Sequence, residues 1–215
     1  MTPQQLGALS GEIVTPEIMD ALTLYADLAA KWTQRINLVS RSTQSAIMER
    51  HIADSIQLWP LVPEKARLFA DLGSGGGFPG LVLAVVAHYV RPGLRHVLVE
   101  SDQRKATFLR EATRLLGVSA TVTCARIDQV PPLNANLVTA RALAALPTLL
   151  TLAGPHLAPD GVALFPKGVG YRSEVDAAKA AWMFDVEEFP SQTEPGARLL
   201  RLSHIAPISE CTPLR

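Results

Sequence analysis

Asp71-Leu-Gly-Ser-Gly-Gly-Gly-Phe-Pro-Gly80 decides the fold of this chain. The apolar run Arg67-Leu-Phe-Ala-Asp-Leu72 leads into it, and the apolar segment Leu81 to Tyr89 leaves it, stopped by Pro92-Gly93. A strand, a glycine-rich loop and a helix in that order form the first unit of a ligand-binding sheet. Glycine permits positive φ and lets the backbone approach a ligand closely. Five glycines in the eight positions from Gly73 to Gly80 exceed what a plain turn requires.

Downstream, strands and helices alternate. His96-Val-Leu-Val-Glu100 reads as a second strand and Gln103 to Leu116 as a helix, with Gly117 where a C-cap glycine belongs. Ala120 to Cys124 and Asn136-Leu-Val-Thr-Ala140 are the third and fourth strands. Leu146 to Leu157 is a helix, Gly161 to Pro166 a fifth strand and Ser173 to Trp182 a helix. Val186 to Phe189 and Arg198 to His204 close the chain as two strands joined by a Gly-Pro-bearing loop. This order predicts an α/β fold: a Rossmann-like, mostly parallel seven-stranded sheet over residues 67–215. Residues 1–66 read as an N-terminal helical extension. There Thr15-Pro16-Glu17 starts a helix with apolar Ile18, Leu22, Tyr25, Leu28 and Trp32 on one face. A second helical pattern runs from Ile47 to Trp59, stopped by Pro60 and Pro63.

A chain of 215 residues suits one core with an appendage. No uncharged apolar run approaches the ~20 residues of a membrane span, and the longest candidate, Phe78 to Val90, is interrupted by Pro79, Gly80 and His88. With no basic-then-apolar start, the expectation is a soluble cytoplasmic monomer with no membrane partner. Cys124 and Cys211 lack metal-ligand spacing and read as incidental thiols, so no metal is expected. Net charge is zero, but Arg91, Arg95, Arg104, Lys105, Arg110, Arg114 and Arg126 face only Glu100, Asp102 and Glu111 between residues 91 and 126. Lys31, Arg35, Arg41 and Arg50 form a smaller basic excess. Such patches can hold phosphates at short range; scattered basic residues are more usually a solvated helix face.

Gly75-x-Gly77-x-x-Gly80, with Glu100 twenty residues on, formally satisfies the dinucleotide fingerprint. Three details favour S-adenosylmethionine instead. Pro79 removes a backbone N–H at the helix start, a group that phosphate sites use. Asp71, at the strand end, would repel phosphates and attract the ammonium or sulfonium of the methyl donor. The strand also meets its first glycine at Gly73, ahead of the fingerprint. Glu100 is placed to accept from both ribose hydroxyls, and Arg126-Ile127-Asp128 follows the third strand where adenine would lie. The predicted donor contacts are thus Asp71, Gly73, Gly75, Glu100, Ile127 and Asp128.

These segments resemble the RsmG (GidB) family of bacterial 16S rRNA guanine-N7 methyltransferases. The matching stretches are Asn37-Leu-Val-Ser40, Arg50-His-Ile-Ala-Asp-Ser55, Asp71 to Leu81, Glu100-Ser, Arg104-Lys105, Phe108-Leu-Arg110, Arg126-Ile-Asp128, Ala140-Arg141-Ala142 and Lys167-Gly168. They keep the family's order from about residue 20 to 205. The resemblance implies a methyltransferase fold and a donor site at Gly73, Phe78, Ile127, Asp128 and Arg141. It also implies S-adenosylhomocysteine as product and 16S rRNA or the assembling 30S subunit as partner. Glu100 and Asp128 exchange one acid for the other relative to many members. Arg50, His51, Arg104, Lys105 and Lys167 are the candidate RNA contacts.

The fourth strand ends in Thr139-Ala-Arg-Ala-Leu143, without the Asp/Asn-Pro-Pro-aromatic of amine methylation or the cysteine of C5-pyrimidine methylation. Guanine N7 needs neither, since it presents a lone pair and no proton; alignment suffices. No acid or base is assigned. Arg141 is open to a contact with the donor carboxylate, with guanine O6, or to a structural ion pair. His51 and Asp54 suit RNA docking, pocket closure or a structural network, and Lys167 suits a phosphate contact or a turn. Two other functions stay open at this level: an NAD-dependent oxidoreductase and a non-catalytic S-adenosylmethionine-binding protein.

Overall fold

The computed structural model describes residues 1–11 and 13–208, without the side chains of Arg41 and Ser42. Cys211 and the Arg41 side chain therefore lie outside the described residues. Among the described residues no helix is long and apolar enough to cross a membrane, and no cluster suits a metal ion.

The chain opens with α1 (Pro3–Ser10) and α2 (Pro16–Thr33). Thr2 and Gln5 form a capping box on α1, which the sequence reading had not located, and the Thr15 hydroxyl caps α2. Where one helix is expected over 47–59, the backbone is broken. A 3₁₀ stretch (Arg41–Ala46) leads to a π turn (Met48–Ile52), the short α3 (Ala53–Ile56) and a further 3₁₀ turn (Trp59–Leu61). The Ser55 hydroxyl donates to the His51 carbonyl at 2.6 Å, a local bond of the kind that bends helices.

The sheet follows: β1 (Leu68–Leu72), α4 (Gly80–Val90), β2 (Arg95–Glu100), α5 (Gln103–Leu116), β3 (Ala120–Cys124), β4 (Ala135–Thr139), α6 (Leu146–Ala153), β5 (Leu157–Lys167), α7 (Tyr171–Lys179), β6 (Trp182–Pro190) and β7 (Arg198–Pro207). Asp102 caps α5 through the amides of Arg104 and Lys105, and Gly117 ends it at φ +65°. Strand order is β3-β2-β1-β4-β5-β7-β6, parallel except for β7, which runs antiparallel to both neighbours. The last two strands start earlier or run longer than their apolar cores suggest, because β6 is an edge strand whose faces alternate in burial from Trp182 onward.

Side-chain alternation along β1 divides two layers. Phe69 joins Tyr25, Ile52, Ile56, Val82 and Phe108 on one face; Ala70 and Leu72 join Leu146, Leu150, Phe165 and Val175 on the other. The helical extension thus shares one continuous core with the α4–α5 face of the sheet. Strand order reverses between β1 and β4, which opens a crevice at their carboxyl ends.

Candidate active site

The glycine loop crosses that crevice. Gly73, Gly75 and Gly77 all take positive φ (+66°, +56° and +84°). At Gly77 a Cβ would stand 2.5 Å from the Tyr25 hydroxyl, so glycine is required for space as well as backbone conformation. That hydroxyl donates to the Gly76 carbonyl, which fixes the loop onto α2. The Leu38 carbonyl crosses above the loop, 3.2 Å from where a Gly76 Cβ would be. Asn37-Leu-Val-Ser40 therefore packs over the loop rather than elsewhere on the extension.

Two loop amides are bonded within the chain. Gly75 N donates to Glu100 Oε2 at 2.7 Å and Gly77 N to the Ser74 carbonyl at 2.7 Å. Pro79 has no N–H. Two amides that a pyrophosphate site would use are thus engaged and Pro79 supplies none, which counts against the NAD reading. Glu100 Oε1 accepts from Asp102 N at 2.7 Å, so the buried carboxylate is oriented at the end of β2 with lone pairs to spare.

Asp71 is 1 % exposed at the end of β1, on the α4 face. Its Oδ1 accepts from the Thr139 hydroxyl at 2.6 Å, opposite it in the β1–β4 register. Oδ2 faces Gly80, where a Cβ would stand 2.5 Å away, and completes no hydrogen bond. Burial raises the carboxyl to about 6, against the pull of Thr139, Ser74, the nearby Gly80 amide and the charge of Arg141. A buried acid with an oxygen lacking a donor suits a cationic ligand group.

Ile127 and Asp128, the residues expected at the adenine, line a cavity of about 190 Å³ together with Gly73, Val99 and Leu143. His156 holds the Ile127 carbonyl at 3.2 Å, and Asp128 pairs with Arg126 at 3.1 Å on the surface. Leu143 presses on Gly73, its Cδ1 2.8 Å from a hypothetical Cβ there. The cradle is one that only a glycine leaves open.

Beyond β4, Arg141 ties the strand end to the His51–Asp54 segment and to the glycine loop. It donates to Asp54 Oδ2 at 3.2 Å and to His51 Nδ1 at 2.9 Å, with its guanidinium 5.4 Å from the centre of the Phe78 ring. His51 Nε2 meets the Thr43 hydroxyl at 2.8 Å. Accepting at Nδ1 makes His51 neutral with its proton on Nε2, and burial followed by the Arg141 charge lowers it to about 4. Asp54 Oδ1 accepts from Thr193 at 2.9 Å and from Gln57 at 3.0 Å. Ala142, the next residue, has a left-handed backbone at φ +53°, a conformation concentrated at functional sites.

The predicted RNA contacts divide by environment. Arg50 is exposed, the Arg104 side chain is 72 % exposed and Lys105 is half-buried. His51 is instead held within the Arg141 network. Lys167 is 8 % exposed, its ammonium bound to Glu174 at 2.7 Å and to the Ala144 carbonyl at 2.8 Å. Since Glu174 also accepts from Leu146 N, the pair fixes the loop between β4 and α6. Sequence reading missed Tyr25 as a loop anchor, having counted it as an apolar position. It also missed Gln57 and Leu143; their partners lie far along the chain, so no spacing marks them.

A sequence model of the family described as rRNA small subunit methyltransferase G (GidB) matches residues 18–199. The chain is 52% identical over 193 residues to the Ribosomal RNA small subunit methyltransferase G of Cereibacter sphaeroides, covering 90% of this chain and 94% of that protein. It is 48% identical over 206 residues to the protein of the same name from Paramagnetospirillum magneticum, covering 96% and 97%. The solved structure of a SAM dependent methyltransferase from Aquifex aeolicus matches 81% of this chain and 97% of that one, with a TM-score of 0.57 at 12% identity, a likeness of fold. With the glycine loop, the sheet order and the Arg141 network in place, these matches show that the chain belongs to the GidB family of rRNA small subunit methyltransferases.

Proposed function

We propose that this chain methylates N7 of one guanine in 16S rRNA, free or within the assembling 30S subunit, as a cytoplasmic monomer. The observation that carries the N7 reading is the end of β4. The Thr139 hydroxyl is engaged with Asp71, Ala140 offers no functional group and Arg141 is a paired cation, so the strand end supplies neither base nor nucleophile. A ring nitrogen with a free lone pair requires neither.

S-adenosylmethionine supplies, when bound, a methyl group on a positively charged sulfur. With the donor bound, Asp71 would attract its ammonium from beneath the loop, Glu100 would accept from its ribose, and Ile127 and Asp128 would flank its adenine. Gly73 and Gly75 allow the close backbone approach, while Phe78 and Arg141 close the donor's methionine end. The Arg141 guanidinium is neutralised by Asp54, which matters because the methylated purine is itself cationic and an uncompensated arginine would oppose it. Catalysis is then alignment in a site shielded from water. Exposed Arg50 and Arg104, with half-buried Lys105, face RNA phosphates; His51 and Lys167 act on RNA through the elements they fix.

Labelled S-adenosylmethionine, incubated with the protein and small-subunit RNA or subunits from a strain lacking the enzyme, is expected to yield 7-methylguanosine at a single position after nuclease digestion. Label on a pyrimidine, or on no ribosomal RNA at all, overturns the proposal.

A further inference from the structure

A second cavity, of about 490 Å³, opens beyond Arg141 between the β4–α6 loop and the loop joining β6 to β7. Its size is that of small-ligand sites. Leu143 lines both this cavity and the donor cavity, so the two adjoin at that residue. Six charged residues line the larger one: Asp54, Arg141, Lys167, Glu174, Glu194 and Arg198. Four are matched internally as Arg141–Asp54 and Lys167–Glu174. Among the described residues, the carboxylate of Glu194 and the guanidinium of Arg198 have no ion-pair partner; Arg198 donates to the Ala197 carbonyl and stacks toward Tyr171.

Glu194 also stands on a fixed loop. Gln57, 2 % exposed, donates through Nε2 to Asp54 Oδ1 and Thr193 Oγ1 at 3.0 Å each and to Ser191 Oγ at 3.3 Å, and accepts from Gln192 N at 2.8 Å. A buried amide with both ends bonded holds the 191–194 segment in one place. Glu194 N in turn donates to Ser191 Oγ at 3.2 Å.

We propose that this cavity receives the target guanine and that Glu194 is its specificity-determining residue, accepting from N1–H and the exocyclic N2 amine. The inference rests on the N7 reading. In guanine the N1/N2 edge and N7 lie on opposite sides of the fused rings. A base held by Glu194 at the loop therefore turns N7 toward Leu143 and the donor cavity. A carboxylate accepts from guanine's two donors at once, whereas adenine presents no matching pair there. Arg198, the other uncompensated charge, faces the nucleotide's phosphate.

The test uses 16S rRNA, free and reconstituted into small subunits, ligated from synthetic pieces to carry guanosine or inosine at the position the wild type methylates; inosine lacks the N2 amine and keeps N7. The wild type is expected to prefer guanosine by about ten- to a hundredfold in kcat/KM. Glu194→Gln is expected to lose that factor on guanosine and bring the two substrates within about threefold, while binding S-adenosylhomocysteine as the wild type does. An unchanged guanosine preference in Glu194→Gln, or equal use of both substrates by the wild type, overturns the proposal while leaving N7 methylation standing. Absence of any 7-methylguanosine in the guanosine RNA, both free and within the subunit, removes the underlying reading and this inference with it.

Discussion

Asp71 carries opposite consequences for folding and for ligand binding. Its folded-state carboxyl titrates at about 6 against an ordinary 3.8, because burial disfavours the charge. The folded state holds this proton more tightly than the unfolded chain, so stability falls as pH rises from about 3.8 to about 6 and is level above. A shift of that size is worth on the order of 2–3 kcal/mol. Asp71→Asn, an isostere without the charge, is expected to raise the chemical-denaturation midpoint at pH 7 and flatten its pH dependence below 6. Donor affinity should move the other way. Titration calorimetry should show S-adenosylmethionine binding strengthening through pH 6 in the wild type, and at least tenfold weaker binding at pH 7 in Asp71→Asn. Arg141 is the second residue whose geometry makes a definite statement. Arg141→Lys keeps the charge but replaces a planar fork reaching both His51 and Asp54 by a single point. Single-turnover methyl transfer is expected to fall by about ten- to a hundredfold, with a smaller effect on thermal stability.

The glycine loop depends on elements that are remote in sequence. Tyr25→Phe leaves the Gly76 carbonyl buried without its donor, a loss of about 1–3 kcal/mol. Thermal unfolding should register it, and S-adenosylhomocysteine affinity should drop because the loop is less fixed. What the sequence disclosed follows the same local-versus-remote division. The boundaries of β3 and α5 are read directly, since the Asp102 cap, the Gly117 stop and the apolar periodicity all lie within the segment. The Ile47–Trp59 segment carries helical periodicity too, but the Ser55 back-bond and the π turn interrupt it, and apolar spacing does not register either. The glycines, Asp71 and Glu100 announce a ligand because their chemistry is unusual for a strand–helix turn. Gln57 has an ordinary side chain, and its bonds to Ser191, Gln192 and Thr193 reach more than 130 positions along the chain. Lys167 reads as a surface cation until Glu174 is placed beside it by the start of α7.

At the scale of the whole molecule, the boundary near residue 66 separates two kinds of sequence but not two cores. Leu6, Ile18, Leu22, Ile52 and Ile56 pack in the same cluster as Phe69, Val82 and Phe108. Residues 67–215 expressed alone would expose that face, and are expected to lack a cooperative unfolding transition by circular dichroism, while the full chain unfolds in one step. The position of β7 has a further consequence, one of assembly order. Because β7 lies between β5 and β6, the edge of β5 has no neighbour until residues 198–207 have left the ribosome, and β6 waits with it. The donor half, β1 to β4, can condense earlier in synthesis. The wall that carries Glu194 is set last, so a nascent chain can complete its donor pocket before it has anywhere to seat a base.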